Sequence, residues 1–313
     1  MGKTALVFPG QGAQYKGMAR DLYEVSEKAR AIIDEANSAL DIDIKNMMFE
    51  DPDEELSLTE NTQPAILIHS ISALMAFRDK VDLKYDACLG LSLGEYSALV
   101  AAGVLDFKEA VKLVKKRGRY MQDTVPVGEG TMAAILGLDR ELVNEAISKV
   151  RDGIVEVANY NCPGQIVISG EVEAVRDAME YCRELGAKKA VELVVSGPFH
   201  SSMLIKAGEK LQKELEGIEF KEPEVDVVAN VDAEYYTCNY KDKLIKQVSS
   251  SVLWEDSISK LIDEGYDEFI EIGPGKTLRG FIKKIASKKG AKVDIYNIDG
   301  IDSLEKFTEI KFR

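Results

Sequence analysis

Histidine is nearly missing from these 313 residues, which hold only His69 and His200. Cysteine is scarce too, and Cys88, Cys162, Cys182 and Cys238 show no C-x-x-C spacing. So few ligands, so spaced, point away from a zinc or iron site. No apolar run approaches the roughly 18 residues that a spanning helix needs. The opening MGKTALVFPG has neither the apolar region nor the cleavage site of a signal peptide. Basic residues are outnumbered, 40 Lys and Arg against 54 Asp and Glu, for a net charge of −14. That balance argues against nucleic acid as a partner, because phosphate binding needs a basic face. What is present is 45% hydrophobic and 30% charged. The expectation is a soluble, cytoplasmic, metal-free protein off the membrane, with core enough for one large domain or two smaller ones.

The most informative stretch is Asp86 to Leu105, DACLGLSLGEYSALVAAGVL. A short apolar run (Ala87, Cys88, Leu89) enters the turn Gly90-Leu91-Ser92-Leu93-Gly94. An alanine-rich segment leaves it, closed by Gly103 as a helix C-cap would be. Strand, G-x-S-x-G turn and helix form the setting of a nucleophile elbow. The two glycines then have a steric purpose. Ser92 occupies a strained backbone position, and a Cβ at Gly90 or Gly94 would strike the neighbouring strand or helix. The strain lifts the Ser92 hydroxyl clear of the sheet. It also aims the Leu93 amide, at a helix N-terminus, at an oxyanion on an acyl group carried by Ser92. An ordinary Gly-rich turn is the competing reading.

Upstream, Thr4 to Phe8 reads as a strand running into Pro9-Gly10-Gln11-Gly12-Ala13-Gln14. The dinucleotide pattern fails there at Tyr15 and the phosphate-loop pattern at Met18, leaving a Gly-rich turn with free amides and a weak claim to a second oxyanion donor. Met18 to Leu40 reads as one helix, and a second starts with Pro64 in its first position and runs to about Lys80. His69 on that helix reads as a packed or surface histidine, because in hydrolase-type α/β folds the base follows the serine.

Phe107 to Met121 is amphipathic, with Lys108, Lys112, Lys115 and Arg119 on the solvent stripe and Ala110, Val114, Arg117 and Met121 on the apolar one. A guanidinium on that face must be paired. Its partner is either a structural carboxylate or a substrate carboxylate held bidentately, and the sequence leaves both open. Residues 130–195 then follow a βαββαβ order through Thr131–Gly137, Arg140–Val150, Val155–Asn159, Gln165–Ser169, Glu173–Leu185 and Lys189–Val195, with Tyr160 to Gly164 as a connection. That is the ferredoxin-like pattern, inserted with boundaries near Pro126 and Ser196.

Ser196-Gly197-Pro198-Phe199-His200-Ser201-Ser202 opens a helix expected to run to about Leu215. His200 is the only histidine after Ser92, and at a helix N-terminus the macrodipole would keep its ring neutral and basic. The remainder alternates strand and helix through Val225–Asn230, Leu244–Val248, Trp254–Glu264 and Glu268–Ile272, then Gly273-Pro274-Gly275 and a helix from Thr277 with a basic tail. Among so many acidic residues, no carboxylate stands out as a third partner for Ser92 and His200.

Taken in order, FPGQGAQ, GLSLGEYSALVAAGV, KKRGRYMQ, NYNCPGQIVISG, GPFHSSM and EIGPGKTL resemble the malonyl-CoA:acyl carrier protein transacylases over almost the whole chain. The resemblance implies an α/β-hydrolase-like core of parallel strands (residues 1–126 and 196–313) and an inserted ferredoxin-like subdomain (127–195). It implies Ser92 as nucleophile, His200 as base, Arg117 as the malonyl carboxylate's partner, and the Gln11 and Leu93 amides as the oxyanion hole. Phe199, bulky and beside the base, joins them as a residue expected to disfavour an α-methyl branch. The histidine of that family is oriented by a main-chain carbonyl, not an Asp.

Malonyl-CoA and acyl carrier protein are the expected partners. Malonyl-CoA counts as substrate, no cofactor is called for, and a monomer is expected. The activity implied is malonyl transfer for fatty acid synthesis. The alternatives are a serine esterase or thioesterase, or a malonyltransferase serving a polyketide synthase. Two positions depart from the family: Leu91 stands where His usually precedes the serine, and Leu253 precedes Trp254 where Gln or Arg is common.

Overall fold

The computed structural model describes residues 2–82 and 84–312. The strands are β1 (Lys3–Phe8), β2 (Ala87–Gly90), β3 (Gly130–Leu136), β4 (Val155–Cys162), β5 (Gln165–Glu171), β6 (Lys189–Glu192), β7 (Asp226–Val227), β8 (Tyr266–Ile272) and β9 (Asp294–Ile298). Five of them pair in parallel in the order β7-β2-β1-β8-β9. A parallel sheet needs cover on both faces, and the alternation along β1 shows how it is supplied. Leu6 and Phe8 enter one core with the helices Thr59–Lys80, Gly94–Ala101 and Phe107–Asp123. Ala5 and Val7 enter another with Trp254–Asp263 and Thr277–Lys289.

The other four strands form an antiparallel sheet, β4-β5-β3-β6, that is separate from the first. It has its own core, in which Ala133, Ile135, Ile166 and Ile168 meet Val143 and Ala146 of the helix Arg140–Lys149 and Val175 and Ala178 of Val172–Glu184. The sheet is tied to the rest of the chain where Val252 bonds both Ala158 and Tyr160 of β4.

Several elements differ from the sequence reading. Met18–Leu40 is two helices, Arg20–Val25 and Glu27–Ala39, because Ser26 is extended and its Oγ accepts the Ala29 amide as an N-cap. Pro64 is not in the first position. The helix begins at Thr59, its first turn built by the Asn61 and Thr62 amides on the Leu58 carbonyl, with both side chains folded back onto Glu55 and Leu56. Tyr160 to Cys162 belong to β4, so the hairpin turn is only Pro163-Gly164, with Gly164 at φ +70°. Of Val225–Asn230 only two residues pair as β7, because the Ala229 amide turns to the Glu234 carbonyl. Leu244–Val248 falls mostly in the helix Tyr240–Gln247. The reading also stopped short of β9 and the helix Ile301–Lys311.

Candidate active site

At the turn after β2 backbone segments cross closely, and glycine permits it. A Cβ on Gly90 would overlap the Gly94 carbonyl, one on Gly94 would overlap Phe8 of β1, and one on Gly10 would overlap the Leu91 carbonyl. Three backbone segments therefore meet around Ser92, which sits at φ +53°. The strained turn is held by Asn230, 1% exposed. Its Oδ1 accepts the Ser92 amide and its Nδ2 donates to the Gly90 carbonyl, both at 2.7 Å.

Ser92 Oγ lies 2.7 Å from His200 Nε2. His200 Nδ1 lies 2.8 Å from the Gln247 main-chain oxygen. A carbonyl only accepts, so Nδ1 carries the proton and the Nε2 lone pair faces the serine. Burial, with the Arg117 cation adding to it, pushes the His200 imidazole down to about 4. This corrects the helix-dipole argument. His200 precedes a short 3₁₀ turn, Ser202–Leu204, and the α-helix begins only at Ile205, so desolvation rather than a macrodipole keeps the ring neutral. The carbonyl that orients the ring is that of Gln247, while the Leu253 oxygen accepts from Ser257 Oγ.

Arg117 is 1% exposed. Its Nη1 donates to Gln63 Oε1 at 2.7 Å, and its Nη2 to Gln247 Oε1 at 2.8 Å and Ser92 Oγ at 3.2 Å. The guanidinium lies over the Tyr96 ring, 5.3 Å from its centre, and Nε has no partner among the described residues. No carboxylate among the described residues forms a direct ion pair with it. The cation is solvated by amide oxygens instead. The carboxylate nearest in the network, Glu95, is fully buried one residue further on. Glu95 takes hydrogen bonds from Gln247 Nε2 at 2.6 Å, from the Asn230 amide at 3.2 Å, and from Tyr236 Oη.

Of the remaining candidates, Gln11 lies in the loop that Gly10 presses against Leu91, and its side chain donates to Thr59 Oγ1 at 3.2 Å. Leu93 is helical at φ −53°, ψ −39°, heading Gly94–Ala101. Neither main-chain amide donates to another described residue. Phe199 is buried next to His200. His69 lies apart, its Nε2 2.5 Å from the Asp299 carbonyl. Sequence reasoning missed Gln63, Asn230, Tyr236 and Gln247, which stand in stretches without a pattern, and Glu95, which stands in the elbow stretch but reads there as an acidic residue of a helix's first turn.

The acyl transferase domain family matches residues 5–297. The malonyl CoA-acyl carrier protein transacylase of Bacillus subtilis (strain 168) is 49% identical over 289 residues, covering 91% of each chain. The structure of malonyl CoA-acyl carrier protein transacylase from Clostridium perfringens superposes with a TM-score of 0.94 at 45% identity, over 98% of this chain and 96% of that one. A malonyl-transacylase solved in complex with its type II polyketide synthase acyl-carrier protein has a TM-score of 0.94 at 38% identity, over 99% of this chain and 100% of that one. With an elbow serine, a histidine on a main-chain carbonyl and a buried arginine beside them, the chain belongs to the acyl transferases, in the malonyl-CoA:acyl carrier protein transacylase family.

Proposed function

We propose that this enzyme moves the malonyl group from malonyl-CoA to the phosphopantetheine thiol of acyl carrier protein, for fatty acid synthesis, through an ester on Ser92. The observation that carries this reading is Arg117, a buried cation that touches the serine oxygen and has no carboxylate partner among the described residues. An esterase has no use for such a charge, whereas a malonyl ester brings a free carboxylate to that spot.

In the first half-reaction His200 Nε2 takes the Ser92 Oγ proton as Oγ attacks the thioester carbon. The oxyanion is met by the Gln11 and Leu93 amides, a role supported by their freedom from other acceptors. Collapse breaks the carbon–sulfur bond, and His200 Nε2 hands that proton to the departing sulfur, so coenzyme A leaves as the thiol and the base is free again. Arg117 exchanges its contact with Oγ for the malonyl carboxylate. In the second half the carrier thiol gives its proton to His200 and attacks the ester, and Ser92 recovers the proton as it leaves. Phe199 beside the base narrows the room for an α-methyl branch, so methylmalonyl-CoA is a poor donor.

The parallel sheet with its covering helices (1–126, 196–313) reads as an α/β-hydrolase-like core. The strand order β4-β5-β3-β6, with a core of its own, supports a ferredoxin-like insert at 127–195. We read the protein as a cytoplasmic monomer that needs no cofactor or metal and binds neither nucleic acid nor membrane. All the groups named come from one chain, and no helix among the described residues is long and apolar enough to cross a membrane.

The test is intact-mass analysis after mixing with malonyl-CoA, followed by a chase with holo carrier protein. A malonyl adduct on Ser92 that passes to the carrier is expected. Release of free malonate would make the enzyme a hydrolase, and no adduct would remove the catalytic reading altogether.

A further inference from the structure

We propose that Glu95 is a specificity-determining residue of the malonyl site: it is a second anion sharing the charge of Arg117 through the Gln247 amide, and it takes up a proton when the malonyl carboxylate docks. The inference rests on the malonyl reading above and assigns a role to a carboxylate that the transfer chemistry does not use.

A fully buried carboxylate without a direct counter-ion is costly unless a cation lies close by. For Glu95 the cation is one amide away. Gln247 has two amide hydrogens, one on the Ser92 carbonyl at 2.9 Å and the other on Glu95 Oε2, and its Oε1 faces Arg117 Nη2. The amide thus passes charge between carboxylate and guanidinium while leaving the guanidinium face toward Ser92 free of a resident anion. A direct Glu–Arg bridge would occupy the place the substrate needs.

When a malonyl carboxylate pairs with Arg117, one cation serves two anions in a dry site. The anion with weaker hold on the cation is Glu95, and protonation relieves it. The groups around it permit this. On its own helix Tyr96 faces Arg117. After β7, Asn230 and Tyr236 donate to it, and beyond the Tyr236 ring Lys243 is already paired with Asp232 at 3.1 Å. From the helix Phe107–Asp123 only Arg117 reaches it, and His200, behind Arg117, is neutral. Burial pushes the Glu95 carboxyl up to about 7, against the pull of Tyr236, Gln247, Asn230 and Arg117, so a modest further rise changes its charge near neutrality.

The test uses Ser92→Ala, which binds without reacting, and calorimetry with malonyl-CoA at about pH 7.5 in two buffers of different ionisation enthalpy. Net uptake of a fraction of a proton per malonyl-CoA is expected, with none for acetyl-CoA and none in Ser92→Ala/Glu95→Gln. Glutamine keeps an oxygen for Gln247 and Asn230 and an amide for Tyr236, so it removes charge and little else. In the serine-containing enzyme Glu95→Gln should lower KM for malonyl-CoA several-fold and leave acetyl-CoA unchanged. Equal uptake with acetyl-CoA, or uptake that survives Glu95→Gln, overturns the proposal. Should Glu95→Gln not fold, Tyr236→Phe removes a donor that favours the ionised carboxyl, so it must move the pH of maximal uptake upward. An unmoved profile overturns the proposal equally. If Arg117→Ala binds malonyl-CoA as well as its parent does, the malonyl reading itself has failed, and that result is distinct from any of these.

Discussion

Arg117 Nη2 donates to Ser92 Oγ at 3.2 Å, so the cation that would hold the substrate's carboxylate touches the oxygen that would carry its acyl carbon. The distance from nucleophile to anchor is thereby short and fixed, which favours a three-carbon diacid over longer ones. Arg117→Ala should cut kcat/KM for malonyl-CoA by roughly 10²–10³, the cost of breaking a buried charge pair. Acetyl-CoA, with no carboxylate to lose, should be used as before or slightly better. Lysine should restore little, because an ammonium lacks the guanidinium fork that also engages Gln63 and Gln247. Acylation rates with both donors check this. Equal losses would mean that Arg117 only supports the fold.

The base should be neutral across the physiological range. With His200 pushed down to about 4, Ser92 acylation at saturating malonyl-CoA should stay flat from about pH 8 to 5 and fall only as the imidazole is protonated below that. Burial is the larger cause and the Arg117 cation the next, so removing the cation stabilises the imidazolium. Arg117→Ala should therefore move the acid limb upward, toward the ordinary histidine value. Single-turnover acylation with acetyl-CoA in parent and variant reads the shift. A limb that stays in place, or moves down, would contradict this electrostatic account.

Stability has a matching sign. His200 binds a proton more weakly folded than unfolded, so it withdraws stability as pH falls from about 6.5 to about 4. Glu95 and Glu271, both raised to about 7 by burial, act oppositely and withdraw stability as pH rises from about 4.5 to 7. Glu271→Gln should accordingly flatten the loss of thermal stability between pH 5 and 7, and a steeper loss would reverse the assignment.

Asn230 holds the elbow from outside it. Asn230→Ala leaves the Ser92 amide and the Gly90 carbonyl without their partner in a buried turn, each worth roughly 1–3 kcal/mol. Denaturant unfolding should show a loss of at least about 2 kcal/mol, and acylation should slow because the strained turn is no longer held. Asn230→Asp keeps the acceptor for the Ser92 amide but sets an oxygen against the Gly90 carbonyl, so it should recover only part of the stability. If alanine is tolerated in both measurements, the turn is held by its glycine contacts alone.

An acidic carrier protein would need a basic patch on this acidic chain. Lys188, Lys189 and Lys284 are exposed and gather at one end of the antiparallel sheet. Lys189 pairs with Leu136, the Lys188 amide bonds the Leu136 carbonyl, and Lys284 Nζ reaches Gln165 at 3.5 Å. Lys283, the neighbour of Lys284 on the helix Thr277–Lys289, lines a cavity beside Lys3 and Asp267, at the end of the parallel strands opposite the elbow. Charge reversal at Lys188, Lys189 and Lys284 should weaken transfer to the carrier and spare acylation by malonyl-CoA. Reversal at Lys283 should spare both. Equal loss in both half-reactions would indicate damaged folding.

What the sequence determined by itself was local or periodic. Ser92 was legible because strand, tight turn and helix are neighbours in the chain, and two glycines mark where backbones touch. Arg117 was legible because helical spacing put a charge on an apolar stripe, and the separate antiparallel sheet because its strands and helices alternate in the chain. His200 was legible by scarcity, as the one histidine after the serine. The tertiary structure decided what surrounds them. Gln63 lies 54 residues from Arg117, Asn230 lies 138 from Ser92, and Gln247 lies 155 from Ser92, distances at which hydrogen bonding leaves no period in the sequence. The partner of His200 is a main-chain oxygen, which every residue has, so no side chain announces it. Whether Arg117 met a carboxylate was open for the same reason: burial dictates that a cation be solvated, but only packing decides whether an anion or two amides do it.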